Sequence, residues 1–331
     1  MEAMGFQLRS EADLTTRSLD VLRTSEIEGQ VLDPDQVRSS LAKRLGMDVS
    51  GTPRADRDVD GVVDMLLDAT QLAHEKLTTE RLYGWHSALF PSGRSGMHKV
   101  LVGRWRDDST GPMQVVSGAM GREKVHFEAP PAAKLKAEMN AFLKWFNASP
   151  ELDPVLKAGV AHFWFVTVHP FEDGNGRMAR ALADMLLARS DGSPQRFYSM
   201  SAQIKEERKQ YYTILERSQR GDVDLTEWLS WFLACLHRSL QSSEKTLASV
   251  LAKHRFWQTH ARTTLNARQV KVLTRMLDGF EGNLTSSKWA KLAKTSPDTA
   301  LRDMQDLMDK KILKKAASGG RSTHYTLLNK P

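Results

Sequence analysis

Residues 169–180 read His-Pro-Phe-Glu-Asp-Gly-Asn-Gly-Arg-Met-Ala-Arg, directly after an apolar stretch, Val155–Val168, that has the character of a buried helix. Gly174 and Gly176 are free to take positive φ angles that turn successive N–H groups toward one point, and Met178–Ala188 reads as a helix whose N-terminus faces that point. The result is an anion nest. Arg177 and Arg180, three residues apart, share a helix face and can offer planar forks to a polyphosphate, with Asn175 adding an amide donor. Asp173 supplies a hard carboxylate oxygen of the kind that holds Mg²⁺ together with substrate phosphates. His169 stands where the helix ends, and an imidazole with an ordinary pKa of about 6.5 suits a general base. Phe171 reads as the apolar anchor of the loop. The chemistry these residue types can perform together is phosphate binding next to a base.

The segment resembles the signature of Fic-domain proteins, His-x-Phe-x-(Asp or Glu)-Gly-Asn-Gly-Arg-x-x-Arg, and matches it at every defined position. The resemblance implies a mostly helical bundle that transfers AMP from ATP to a protein hydroxyl and releases pyrophosphate. It assigns His169 to deprotonation of a Ser, Thr or Tyr of the target and Asp173 to Mg²⁺. Phe171, Gly174, Asn175, Gly176, Arg177 and Arg180 then belong to nucleotide binding, the two arginines on the β and γ groups. Kinase-like relatives of the Doc type carry lysine at the second glycine; here that position is Gly176, which favours nucleotidyl transfer.

An N-terminal amphipathic pattern with Leu14, Leu19, Leu22 and Ile27 ends in Thr24-Ser25-Glu26-Ile27-Glu28-Gly29, with Gly29 placed as a C′ cap. Acidic residues in a last turn oppose the helix dipole, so Glu26 and Glu28 break a local rule. The segment resembles the Fic inhibitory motif, (Ser or Thr)-x-x-x-Glu-(Gly or Asn). That resemblance pairs Glu28 with Arg180 and makes Thr24 or Ser25 polar supports. Fic relatives with such a segment often carry further residues before it, whereas this chain begins close to the motif.

Between the motifs, Met113–Gly118 and Lys124–Glu128 are β-prone runs around Gly118–Gly121, with Gly103-Arg-Trp-Arg106 leading in. They read as a hairpin; in Fic proteins such a flap pairs with an extended target segment, here through Met113, Val115, Val116, Ser117 and Gly118. A purely structural hairpin fits the same residues. Tyr211 and Tyr212, on a helical stretch, are candidates for the adenine pocket, with core packing the simpler role for one of them.

The 331 residues contain one cysteine, Cys235, in an apolar run, which excludes a disulfide framework. Ten histidines are scattered without zinc-ligand spacing, and no signal peptide or long apolar run appears. The expectation is a soluble, cytoplasmic protein with no membrane association. From Arg262 to Pro331, fourteen Lys and Arg stand against six Asp and Glu, a net charge of +8 against +7 for the whole chain. The pattern there is helix (Ala267–Leu277), helix (Ser286–Lys294) and helix (Pro297–Lys311), the third with Ser296 as N-cap and Pro297 at N1. Strands Ile312–Lys315 and His324–Leu328 then flank Ser318–Arg321, the order of a winged helix-turn-helix. The third helix carries Asp298, Asp303, Asp306 and Asp309, so protein docking or dimerisation ranks ahead of DNA contact.

The fold expected is therefore mainly α: a helical Fic bundle with a short β-hairpin flap, followed by a winged helix-turn-helix domain. Four parts are expected, namely an N-terminal inhibitory region at 1–60, a Fic core at 61–245, a helical connector at 246–261 and the winged helix at 262–331. Function divides into three hypotheses: an autoinhibited protein adenylyltransferase using ATP and Mg²⁺; removal of AMP from a modified protein by the same residues; and a winged-helix regulator with a nucleotide-sensing site. A homo-oligomer that restrains the inhibitory helix is compatible with each.

Overall fold

A computed structural model describes residues 6–47, 52–109, 111–117, 124–149, 152–193, 195–221, 224–277, 282–316 and 323–328. Gly118 of the expected flap and the loop Ser318–Arg321 lie outside them. The described residues are mainly helical, and the chain divides into two compact units, Ser10–Glu244 and a smaller one that takes in the chain from Lys245 onward together with the residues up to Arg9.

The larger unit is centred on two helices, α6 (Pro154–Val168) and α7 (Asn175–Asp191). Asp153 caps α6 by accepting from the N–H groups of Val155 and Leu156 at 2.9 and 3.3 Å, and Pro154 occupies N1, where no intrahelical donor is lost. Phe165, Met178, Leu182 and Met185 are fully buried between the two helices and their neighbours. Truncating one of them, as in Leu182→Ala, costs about 2–5 kcal/mol through lost transfer energy and the cavity left behind. Around this pair pack α2 (Pro34–Arg44), α3 (Arg57–Gln71), α4 (Thr79–Leu89), α5 (Ala132–Asn147), α8 (Met200–Glu206), α9 (Arg208–Arg220) and the first part of α10 (Thr226–Thr259). The expected connector continues α10 without a break. Two antiparallel hairpins stand among the helices: β1 (Arg94–Ser95) with β2 (His98–Lys99), and β3 (Gln114–Ser117) with β4 (Lys124–Glu128).

The N-terminal helix, α1 (Phe6–Ile27), joins the same core through Leu14, Val21 and Ile27. Its inner face is more polar than the leucine pattern leads one to expect. Leu19 and Leu22 are only half-buried, whereas Asp13, Arg17, Asp20 and Thr24 are buried. These buried polar groups find hydrogen-bond partners, as burial requires. Arg17 donates to Asp13 at 2.8 Å and to Thr70 on α3 at 2.7 Å, and Asp20 accepts from Ser199. Burial, with Asp184 nearby, pushes the Asp20 carboxyl up to about 7.

The C-terminal unit contains α11 (Ala267–Leu277), α12 (Ser286–Ala293), α13 (Pro297–Asp309) and the hairpin β5 (Leu313–Lys315) with β6 (Tyr325–Leu327). Ser296 accepts from the N–H of Thr299 and Pro297 stands at N1 of α13. Leu284 bridges to Tyr325, so the hairpin has a third partner strand at one position. Val272, Leu273, Trp289, Ala300, Met304 and Leu307 form a core of their own. Two of the four aspartates of α13 are turned onto α11: Asp303 takes two bonds from Arg268 at 2.8 and 2.9 Å, and Asp306 accepts from Gln269 at 2.7 Å. The outer face thus shows Asp298, Leu301, Arg302, Gln305 and Asp309, less acidic than the sequence suggests. Among the described residues no helix is long and apolar enough to cross a membrane.

Candidate functional site

The loop between α6 and α7 is held from three sides. Phe171 is fully buried, with its ring stacked on His86 (centroids 4.2 Å apart, planes 9° apart) and against Trp105. Burial pushes the His86 imidazole down to about 4, so the stacked ring stays neutral. Asn175 accepts from the Phe171 N–H at 3.0 Å and donates to the Phe171 carbonyl at 2.8 Å. Its amide therefore closes the loop, engaging its oxygen and one of its two N–H groups with the Phe171 backbone. Arg106 completes the frame. Its Nε donates to the His169 carbonyl at 2.7 Å and its backbone N–H to the Pro170 carbonyl at 2.9 Å.

His169 ends α6 in the left-handed region, at φ 51° and ψ 59°. Its Nδ1 lies 3.2 Å from the Val166 carbonyl, which can only accept, so Nδ1 carries the proton and Nε2 keeps its lone pair. Burial holds the pKa below the ordinary histidine value; the Val166 carbonyl opposes this and Arg106 adds to it. The ring is a neutral acceptor near neutral pH. It lines a cavity of ≈ 800 Å³ together with Val166, Gly176, Glu28, Tyr212 and the flap residues Val115 and Val116.

The two glycines serve different ends. Gly174 caps α7 at φ 80°, leaving the helix N-terminus without a side-chain cap, whereas Gly176 is not among the glycines of positive φ and lies inside the first helical turn. A Cβ at 176 would meet Glu28 Oε1 at 2.1 Å, so the glycine leaves room for the Glu28 carboxylate to approach α7. Arg180 is fully enclosed: it donates to Glu28 at 2.7 Å, to the Thr24 hydroxyl at 2.8 Å and to the Thr24 carbonyl at 3.0 Å. Burial works against its charge, but Glu28 and the two tyrosines outweigh it and the pKa lies above the ordinary arginine value. Arg180 Nη1 and Arg177 Nε have no hydrogen-bond partner among the described residues, so both guanidinium groups retain donors for an anion. The Ser25 hydroxyl likewise finds no partner, which leaves Thr24 as the polar support.

The acidic last turn of α1 also has its explanation here. Gly29, at φ 85°, closes a Schellman turn in which the Gly29 N–H meets the Glu26 carbonyl and the Gln30 N–H the Ser25 carbonyl, at 3.1 and 3.0 Å. Lys205 donates to the Glu26 carbonyl at 3.1 Å and Arg208 to the Ile27 carbonyl at 2.9 Å. With Arg180 on Thr24, three cations neutralise the negative end of the helix, so the dipole cost of Glu26 and Glu28 is met by the core.

Asp173 accepts from the Ser95 hydroxyl on β1 and from the Gly174 N–H, while neighbouring Glu172 takes the Leu101 N–H at 2.8 Å. No group of three or more potential metal-ligating side chains occurs among the described residues. A single carboxylate beside an anion nest is nevertheless a donor set that suits Mg²⁺ when phosphates supply the other oxygens.

The flap forms in the expected place, with Val115 opposite Phe127, Val116 opposite Val125 and a bulge between Val115 and Val116. The register shift passes over His126, whose ring reaches α9, where Nδ1 lies 2.6 Å from Glu216. Arg220 donates to the His126 carbonyl at 3.0 Å and pairs with Glu216 at 3.0 Å. Val116 stays 47% exposed and lines the same cavity as His169. Met113 precedes the strand and its carbonyl accepts from Ala129 at 2.9 Å. Tyr211 is buried with its hydroxyl 3.0 Å from His162, which makes it mainly a core residue, while half-buried Tyr212 packs beneath Arg208. Arg106, Ser95, His126, Glu216 and Arg208 were not identified from sequence as parts of the site. Arg106 and His126 sat in segments already singled out.

Residues 76–187 match the Fic/DOC family, and residues 1–47 match a domain of unknown function, DUF4172. The chain is similar to protein adenylyltransferase fic-1 of Caenorhabditis elegans, 30% identical over 210 residues, or 63% of this chain and 38% of that protein. It is also similar to protein adenylyltransferase Fic of Drosophila mojavensis, 38% identical over 203 residues, or 60% of this chain and 36% of that protein. The chain thus spans less than half the length of these curated relatives. In fold it resembles a Fic family protein from Desulfovibrio desulfuricans G20, with TM-score 0.54 and 20% identity over 98% of this chain and 89% of the other. A Fic domain containing signaling protein from Bacteroides thetaiotaomicron VPI-5482 gives TM-score 0.54 and 20% identity over 75% of this chain and 93% of the other.

Proposed function

Because this chain carries a Fic domain at residues 76–187, we propose that it is an autoinhibited adenylyltransferase that moves AMP from ATP to a Ser, Thr or Tyr hydroxyl of a target protein. The observation that carries this reading is the juxtaposition of a neutral histidine, whose Nε2 lone pair is free, with a helix N-terminus and two buried arginines that keep open donors. In the reaction His169 Nε2 takes the hydroxyl proton as the oxygen bonds to the α-phosphorus. The bond from that phosphorus to the oxygen bridging to the β-phosphorus breaks, and pyrophosphate leaves with the electron pair. Arg177 and Arg180 hold the β and γ groups, where charge grows in the transition state, so the work is positioning and electrostatic stabilisation. Asp173 would hold Mg²⁺, which when bound neutralises phosphate charge. The flap, tied to α9 through His126, Glu216 and Arg220, presents Val115 to Ser117 as an edge for an extended target segment.

Inhibition follows from Glu28. Its carboxylate engages Arg180 and lies where the first turn of α7 meets the phosphates, so a γ group faces both an occupied arginine and a like charge. A second reading, removal of AMP from a modified protein, is supported by one feature: Glu28 and His169 line the same cavity, which sets a carboxylate to orient water. Self-labelling separates the readings. With ATP labelled on the α-phosphate, transfer should rise in Glu28→Gly and vanish in His169→Ala; label from the γ-phosphate would show a kinase. No transfer by any variant, together with release of AMP from adenylylated protein, would establish the second reading.

A further inference from the structure

Glu28 accounts for one arginine of the phosphate site. The other, Arg177, is held as well. The Schellman turn at Gly29 folds the chain back so that Gln30 faces α7, where its Oε1 accepts from Arg177 Nη1 at 3.0 Å. Among the described residues this is the one side-chain hydrogen bond of Arg177, which is buried and lies over the Phe90 ring at 5.0 Å. Gln30 lies outside the six-residue inhibitory pattern, and nothing in that pattern assigns it a role.

We propose that Gln30 is a second inhibitory residue that occupies Arg177 as Glu28 occupies Arg180, so that one turn closes both phosphate positions. The inference rests on the nucleotide-site reading above. The two grips differ in kind. Glu28 is a charged acceptor and opposes the γ group by its charge. Gln30 is a neutral acceptor that a β-phosphate, a stronger partner for a guanidinium, can displace. Gln30 therefore sets how strongly the site discriminates by phosphate number: a ligand with a β group must displace it, and a monophosphate does not.

The test is equilibrium binding of ADP and of AMP to the full chain, comparing wild type with Gln30→Ala and Gln30→Glu. Gln30→Ala should tighten ADP about threefold to tenfold and leave AMP unchanged, the size expected for the net contribution of one ordinary hydrogen bond. Gln30→Glu places a carboxylate against Arg177 and should weaken ADP with AMP unchanged. A general loosening of the turn would move AMP and ADP together, or move ADP in one direction for both substitutions, and either result overturns the proposal. If Glu28→Gly binds ATP and neither Gln30 variant changes ADP affinity, the second grip alone is refuted. If no variant binds any of these nucleotides, the nucleotide-site reading falls and takes the proposal with it.

Discussion

Gly176→Ala tests whether the glycine is there for Glu28 or for its own backbone. An added Cβ would lie 2.1 Å from Glu28 Oε1, 3.0 Å from its carboxyl carbon and 3.3 Å from Arg180 Nη1, so the nearest obstacles are these two side chains. Glu28 must swing away and release Arg180. A hydrogen bond to a charged group contributes about 1.5–3 kcal/mol, and the lower end applies because the Glu28 side chain is 30% exposed. Against that, alanine is favoured over glycine inside a helix by roughly 0.5–1 kcal/mol. The net cost in the wild-type background is about 0.5–1 kcal/mol, a fall in Tm of about 1–4 °C for a unit of this size. In a Glu28→Gly background the main obstacle is gone, Arg180 is free to shift, and the helix gain prevails, a rise of up to about 1–4 °C. Scanning calorimetry on the four members of this double-mutant cycle reads both shifts. A shift of the same sign and size in both backgrounds would refute the reasoning and return Gly176 to a backbone role.

Glu28→Gly should raise ATP-dependent self-labelling about tenfold or more, the factor corresponding to about 1.4 kcal/mol, and unchanged labelling with unchanged ATP affinity would remove Glu28 from the mechanism. His169→Ala in that background should lower the rate by about 10²–10⁴-fold, the usual range for a general base, read from initial rates. Because burial lowers the His169 pKa and the neutral ring is the active form, the acid limb of the rate profile should lie below pH 6.5; a midpoint above it contradicts the assignment. Burial pushes the Cys235 thiol up to about 12, so a thiol reagent should leave the native chain unlabelled at neutral pH and react once it is unfolded, as followed by mass.

Much of this was legible because it is local. The apolar run after Pro154, the glycine at 174 and the arginines three residues apart define a helix, a capped loop and a second helix within one contiguous stretch. The hairpin around residues 113–128 and the capped third helix of the C-terminal unit were legible for the same reason, since turn and cap chemistry acts over a few residues. What could not be read depends on who meets whom across the chain. The polar inner face of α1 is a reasonable solvent face until Thr70 and Ser199 are brought against it. Asp303 and Asp306 look like an acidic outer surface until Arg268 and Gln269 of α11 turn them inward.

The sequence by itself determined the helix, loop and helix that carry His169, Asp173, Arg177 and Arg180, because these groups lie within twelve consecutive residues and local turn and helix chemistry sets their spacing. Only the tertiary structure decided which of those groups the rest of the chain engages and which keep open donors or acceptors. It turned Asn175 into the loop, made Gly176 a matter of clearance, and brought Glu28 and Gln30 onto arginines some 150 positions away in the chain. Hydrogen bonds and charge pairs are short-ranged, so their partners are chosen by packing, and no local pattern records that choice.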